Sequence, residues 1–206
     1  MYTIIIGKDK YIGNLCNNRR QGKGTYYWES GNRYEGDWKN DKKDGYGIFI
    51  WKKGDKYEGY WKNGKAEGKG TYIWKEGDKY EGEFKNDYKD GKGTYYWANG
   101  DRYEGDWKNG EREGKGIFIW KNGDKYEGEW KNSLKDGKGK IYYTNGNTYE
   151  GDWKNGKKEG KGIFIWKNGD KYEGEFKNNL KEGKSILYLN NGKIYERNWK
   201  NDLKED

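Results

Sequence analysis

Chemistry needs particular residue types, and this chain offers few of them. It has no histidine, which removes Ser-His-Asp and Cys-His relays and any histidine metal ligand. Cys16 is its one cysteine. Alone it builds neither a zinc site nor an internal disulfide, and it fits a reducing compartment. Glu104, Asp106 and Glu113 could pair as the two acids of glycoside hydrolysis. Equivalent carboxylates recur along nearly the whole chain, whereas a catalytic pair occurs once, in a pocket. They read better as solvated partners for cross-strand Lys and Arg. Gly183-Lys184-Ser185 comes nearest to a phosphate loop, but Asn178 stands where the first glycine belongs and no helical stretch follows. The expectation is a non-enzyme with no catalytic residue, no metal and no cofactor.

Two sets of residues could bind rather than react. Lys62, Lys85, Lys108, Lys131 and Lys154 recur at one spacing, and two strands per step would set them about 10 Å apart. Such a ladder could hold anionic phospholipid, including phosphoinositides, at about 1 kcal/mol per Lys near a charged surface. The plainer reading is an edge of solvated lysines whose field the interleaved Glu and Asp blunt. The second set is Tyr57, Trp61, Tyr80, Tyr103, Trp107, Tyr126, Trp130, Tyr149 and Trp153. This stripe is either the core of a thin sheet or a groove for a peptide or helix of a protein partner, or for self-association. An apolar face left bare would exceed what a monomer normally exposes. Nucleic acid fits poorly, because these aromatics alternate with acids.

Both sets belong to one pattern. From Tyr103 to Lys125 the chain reads YEGDWKNGEREGKGIFIWKNGDK, and the leading tyrosine returns every 23 residues, from Tyr11 to Tyr195. A fixed period of this size means a repeat architecture. Positions are numbered here from 1, that tyrosine, to 23. With 38% charged residues and only 30% hydrophobic ones, composition alone suggests disorder. The charges are mixed, however, and the aromatic residues keep strict register, each able to bury roughly 150–250 Å².

Within a unit, KYEGDW and GKGIFIW are short β-prone runs separated by turn-rich segments. Asn-Gly at positions 20–21, as in Asn122-Gly123, predicts a two-residue type I′ hairpin there, and a five-residue loop then covers positions 7–11. That register sets odd positions opposite odd ones: Tyr at 1, Gly at 3, Trp at 5 and the residues at 15 and 17 share one face, with 16 and 18 on the other. A bulge at Gly-x-Gly would flip part of this assignment. Gly105, between Tyr103 and Trp107, leaves bare backbone for a ring. The fold class is all-β: an elongated single-layer antiparallel β-meander of stacked hairpins, about nine units in all.

The motif Tyr-Glu-Gly-x-Trp/Phe-x-Asn-Gly followed by Gly-x-Gly, at this period, resembles the MORN repeat (membrane occupation and recognition nexus). The resemblance implies a scaffold that binds a protein partner at a membrane or cytoskeletal structure. The family often has His before Gly-x-Gly; here that position holds Gln21, Asp44, Glu67, Asp90, Glu113, Asp136, Glu159 and Glu182, which removes any metal or pH role of such histidines. Residues 1–10 read as a degenerate half-repeat or cap, 11–194 as eight tandem repeats, and 195–206 as a truncated repeat or cap. The ends depart from the pattern, at Leu15 and Cys16 and again at Ser185, Leu187 and Leu189, as the exposed ends of a stack require. No run approaches the ~20 apolar residues of a membrane span, and Thr3 to Ile6 is too short for a secretory signal. The expected location is cytoplasmic.

Overall fold

A computed structural model describes residues 1–205; the last residue of the expected C-terminal cap, Asp206, lies outside them. All regular structure among the described residues is β, in nineteen strands, with no helix. The chain divides into two units, one of Met1–Asn99 with Trp107–Gly110, the other of Gly100–Asp106 with the residues from Glu111 on. Each unit is an open antiparallel meander in which strands pair with their neighbours in sequence.

One repeat supplies a seven-residue strand, as in Lys125–Lys131, and a nine-residue strand, as in Leu134–Tyr142. Lys131 pairs with Leu134, so only Asn132 and Ser133 turn the chain. Both have positive φ, 47° and 64°, the type I′ signature. The same holds at Asn40-Asp41, Asn86-Asp87 and Asn178-Asn179. At the other end Ile119 pairs with Lys125. That leaves a five-residue loop, Trp120 to Asp124, closed by the Trp120 amide donating to the Asp124 carbonyl at 3.0 Å. The expected turns are therefore exchanged: the tight turn lies at positions 7–8 and the long loop at 18–22. Asparagine tolerates the left-handed region nearly as glycine does, so Asn-Asp or Asn-Ser can make the tight turn as readily as Asn-Gly.

The register changes with the turns. Tyr126 at position 1 lies opposite Phe118 on one side and Ile141 on the other, both at position 16. Odd therefore faces even, and the residues expected on opposite faces share one. Gly128 pairs with Gly139 and Trp130 with Lys135, so Asp136, Gly137 and Lys138 bulge opposite Glu129. The Glu129 carbonyl in the bulge accepts the Tyr126 hydroxyl at 3.0 Å. The first hairpin turns more tightly than the long loops of the later repeats. Ile6 pairs with Asp9, so Gly7-Lys8 alone makes that turn and Asp9 and Lys10 belong to the strand.

The tyrosine ring lies flat over the glycine pair at positions 3 and 14. A Cβ on Gly105 would meet the Gly116 Cα at 2.5 Å and the Tyr103 hydroxyl at 2.6 Å. Bare backbone at these glycines makes room for the ring at position 1; in the last complete repeat Ser185 takes the second glycine's place. Tyr11, Tyr34, Tyr57, Tyr80, Tyr103, Tyr126, Tyr149 and Tyr172 are 0–1% exposed.

Candidate functional site: the aromatic face

Two rows of rings form this face. The inner row joins position 1 to the Trp or Phe at position 5 in edge contacts. Tyr149 meets Trp153 at 5.3 Å and 88°, and Phe176 of the next repeat at 4.9 Å and 83°, geometry that sets a ring's positive edge against its neighbour's negative face. The Trp at 5 donates its indole N–H to the carbonyl of the preceding repeat's position 14, as Trp61 does to Gly47 at 3.2 Å. Its one polar atom is thus satisfied inside the layer.

The outer row is made by positions 16 and 18. In the first unit Tyr26, Trp28, Phe49, Trp51, Tyr72, Trp74, Tyr95 and Trp97 follow one another without a gap, centroids 4.3–5.2 Å apart. The tyrosines at 16 bond to a carboxylate at position 22 of the preceding repeat: Tyr26 to Asp9 at 2.7 Å, Tyr72 to Asp55 at 2.8 Å and Tyr95 to Asp78 at 2.6 Å. The carboxylate's other oxygen accepts a backbone N–H from the next long loop, as Asp55 does from Lys75 at 3.0 Å. Asp55 is buried, which raises its carboxyl, yet these bonds and the one from Lys53 hold it below the usual range.

Cations roof the rings. The Lys43 ammonium sits 3.5 Å from the Trp61 centroid and 4.6 Å from that of Phe49. Arg112 lies 4.4 Å from that of Trp130. Long stems bury well against rings while the head keeps an electrostatic partner in the ring face. Burial pushes the amines of Lys43, Lys135 and Lys158 down to about 8, and it raises the hydroxyls of Tyr34, Tyr103 and Tyr149. Ala66 takes this position in the repeat of Tyr57.

The nine aromatics expected to line a groove do share a face, as its floor: Tyr57, Trp61, Tyr80, Tyr103, Trp107, Tyr126, Trp130, Tyr149 and Trp153 are all buried. The rings that reach the surface of this face are the half-buried tryptophans at position 18, Trp28, Trp51, Trp74, Trp97, Trp120 and Trp166. These were expected on the opposite face. Their signal lay in the sequence, as a Trp two residues beyond the Phe or Tyr at 16, but the exchanged turns hid it.

Lys62, Lys85, Lys108, Lys131 and Lys154 are exposed, beside the tight turns. Lys62 stands directly opposite Lys65 and Lys154 opposite Lys157, while Lys85 and Lys131 face Tyr88 and Leu134. The acids that replace the family's histidines act as fasteners between repeats. Asp44 accepts the Asn63 amide at 3.1 Å, Glu159 that of Asn178 at 2.9 Å and Glu182 that of Asn201 at 3.0 Å. Cys16 is exposed. Among the described residues no cluster of acids and Cys could hold a metal ion, and no helix is long and apolar enough to cross a membrane.

The sequence profile of the MORN repeat matches residues 11–33, 34–56, 57–79, 80–102, 103–125, 126–148, 149–171 and 172–193. No curated protein sequence matches the chain. Solved structures do. The TCP10 domain of Danio rerio CPAP has a TM-score of 0.55 at 8% identity, covering 96% of this chain and 94% of that one. The TCP domain of Drosophila melanogaster SAS-4 (dCPAP), solved with a proline-rich motif of Ana2, has a TM-score of 0.48 at 19% identity, over 76% of this chain and 86% of that one.

Proposed function

Because the chain belongs to the MORN-repeat family, we propose that it is a non-catalytic scaffold whose aromatic sheet face receives a protein partner at a membrane or cytoskeletal structure. The observation that carries this reading is the outer ring row. Its tryptophans stay half exposed although nothing in a single-layer sheet covers them, and half-exposed aromatic rings on a rigid floor are the material of binding hot spots. The nine buried aromatics set the rigidity; Trp51, Trp74 and their equivalents make the contacts.

The test is a cross-linked pull-down followed by affinity measurement on the partner recovered. Trp51→Ala with Trp74→Ala should weaken binding at least tenfold while circular dichroism stays native. Lys62→Glu with Lys85→Glu should mainly alter the on-rate and its salt dependence. Unchanged affinity in the tryptophan variant would refute the reading. A second reading rests on the opposed lysine pairs, since like charges in register are unfavourable unless an anion joins them. Under it the ladder of Lys62, Lys85, Lys108, Lys131 and Lys154 holds anionic phospholipid. Salt-sensitive sedimentation with phosphoinositide liposomes, lost on reversing those charges, would favour it.

A further inference from the structure

The last complete repeat interrupts the outer row. Leu187 and Leu189 stand at positions 16 and 18, and a cleft of about 480 Å³ opens there, lined among others by Trp166, Asp170, Lys181, Leu187, Leu189 and Trp199. One repeat earlier rings stand at both positions 16 and 18, Phe164 and Trp166. The Lys158 ammonium lies within 4.6–5.8 Å of four rings, Tyr143, Tyr149, Phe164 and Phe176. Lys181 has three, Trp199 at 4.4 Å, Trp166 at 5.1 Å and Tyr172 at 5.4 Å, and the fourth place belongs to Leu187.

The wall carries a second mark of what is absent. Asp170 corresponds to Asp9, Asp55 and Asp78, whose Oδ2 atoms each accept a tyrosine hydroxyl at 2.6–2.8 Å. Asp170 keeps the companion bond, its Oδ1 accepting the Asn190 amide at 2.8 Å, and its Oδ2 accepts the Asn168 side-chain amide at 2.8 Å. Leu187 stands where the next repeat would otherwise place the tyrosine that donates to it. Ile141 also interrupts the row, but Tyr143 still supplies a ring at position 18 and Ile141 is buried. At Leu187 and Leu189 both positions are aliphatic, and the cleft lies there.

We propose that this cleft takes a tyrosine side chain presented by a partner protein, its ring between Trp166 and Trp199 beneath the Lys181 ammonium and its hydroxyl donating to Asp170. The inference rests on the reading above, that the aromatic face receives a partner, and names one residue of it. Each contact repeats one that the chain makes with its own tyrosines elsewhere. A phenylalanine would fill the volume but add no hydrogen bond to the carboxylate; a leucine would lose the cation and the ring faces too.

The full chain, with its indole N–H signals followed by nitrogen-15 NMR, is titrated with N-acetyltyrosinamide and then with N-acetylphenylalaninamide. Saturable shifts confined to Trp166 and Trp199 are expected with the first probe, with binding at least fivefold weaker for the second. Leu187→Tyr with Leu189→Trp should restore the chain's own rings and abolish both. Equal affinity for the two probes overturns the proposal, as do shifts that survive in the filled variant or spread equally to Trp28, Trp51 and Trp74. The probe comparison uses the unaltered chain, so a folding defect in the variant leaves it intact. It also needs no partner: a cleft that ignores tyrosine sinks this inference alone, while loss of partner binding in the Trp51 and Trp74 variant bears on the scaffold.

Discussion

The repeat that begins at Tyr57 and the one that begins at Tyr172 share a plan and a backbone, but one is sealed and the other open. In the first, Tyr72 and Trp74 meet at 4.3 Å, Asp55 holds the phenol, and Gly70 lets Tyr57 lie flat. In the second, Leu187 and Leu189 replace the rings and Ser185 replaces the glycine, and the Trp199 indole donates to the Ser185 hydroxyl at 2.8 Å instead of to a backbone carbonyl. Tyr172 nevertheless remains fully buried. The inner row alone holds a repeat together; the outer row decides what its surface can accept.

Three experiments bear on that division. The largest effect should come from opening the sealed repeat. Tyr72→Leu with Trp74→Leu removes two packed rings and takes from Asp55 one of its hydrogen bonds, and large-to-small losses of this kind cost about 2–5 kcal/mol. The denaturant midpoint should fall accordingly while far-ultraviolet dichroism remains β. A loss under 1 kcal/mol would mean that the outer row adds nothing to stability. Next comes the glycine. A Cβ at Gly70 would lie 2.5 Å from the Tyr57 hydroxyl, so Gly70→Ser should cost about 1–3 kcal/mol, as overpacking does. Ser185→Gly in the open repeat should be neutral or stabilising. If the two changes act alike in urea denaturation, the looseness assigned to the last repeat is wrong.

The smallest effect is one of pH. Lys158 has its folded-state pKa lowered to about 8 from an unfolded value near 10.4, so between those limits the unfolded chain binds more protons and stability rises with pH. Lys43 and Lys135 act in the same direction. Above about 10 the sign reverses, because the buried tyrosines keep protons that the unfolded chain releases. The melting temperature should therefore climb from pH 8 to about 10 and then fall. Lys158→Met should remove part of the climb. Lys181→Met, at a less enclosed site whose amine burial lowers to a smaller extent, should remove less. A flat profile from pH 8 to 10 would show these amines to be as wet as free lysine.

Much of this was legible in the chain itself. The 23-residue period, the all-β hairpin plan, the companionship of Tyr103, Gly105 and Trp107 and the atypical ends follow from residue types at fixed intervals. The register was not legible, because Asn-Gly stands at both turns of a unit, as in Asn109-Gly110 and Asn122-Gly123, and the dipeptide rule alone does not choose between them. Asn122-Gly123 has positive φ only at its glycine, whereas Asn132-Ser133 has it at both residues. That exchange moved the row of Trp51 and Trp74 to the wrong face and with it the part of the site that touches solvent. The lysines over the rings were hidden for another reason: charge at position 10 reads as surface, and only the fold shows that its stem lies on Trp61 or Trp153.

The fasteners between repeats have a consequence for how the chain acquires its shape. Asp41 to Arg20, Asn63 to Asp44, Lys75 to Asp55 and Lys158 to Asn179 span 19 to 21 residues, so each closes a loop of nearly the same modest length. None must wait for distant segments to meet. A low contact order of this kind favours rapid folding, and in stacked repeats order can begin at any pair of neighbours and spread. A chain leaving the ribosome could then complete each hairpin pair as soon as the next tyrosine emerges, with only its newest strand left unpaired.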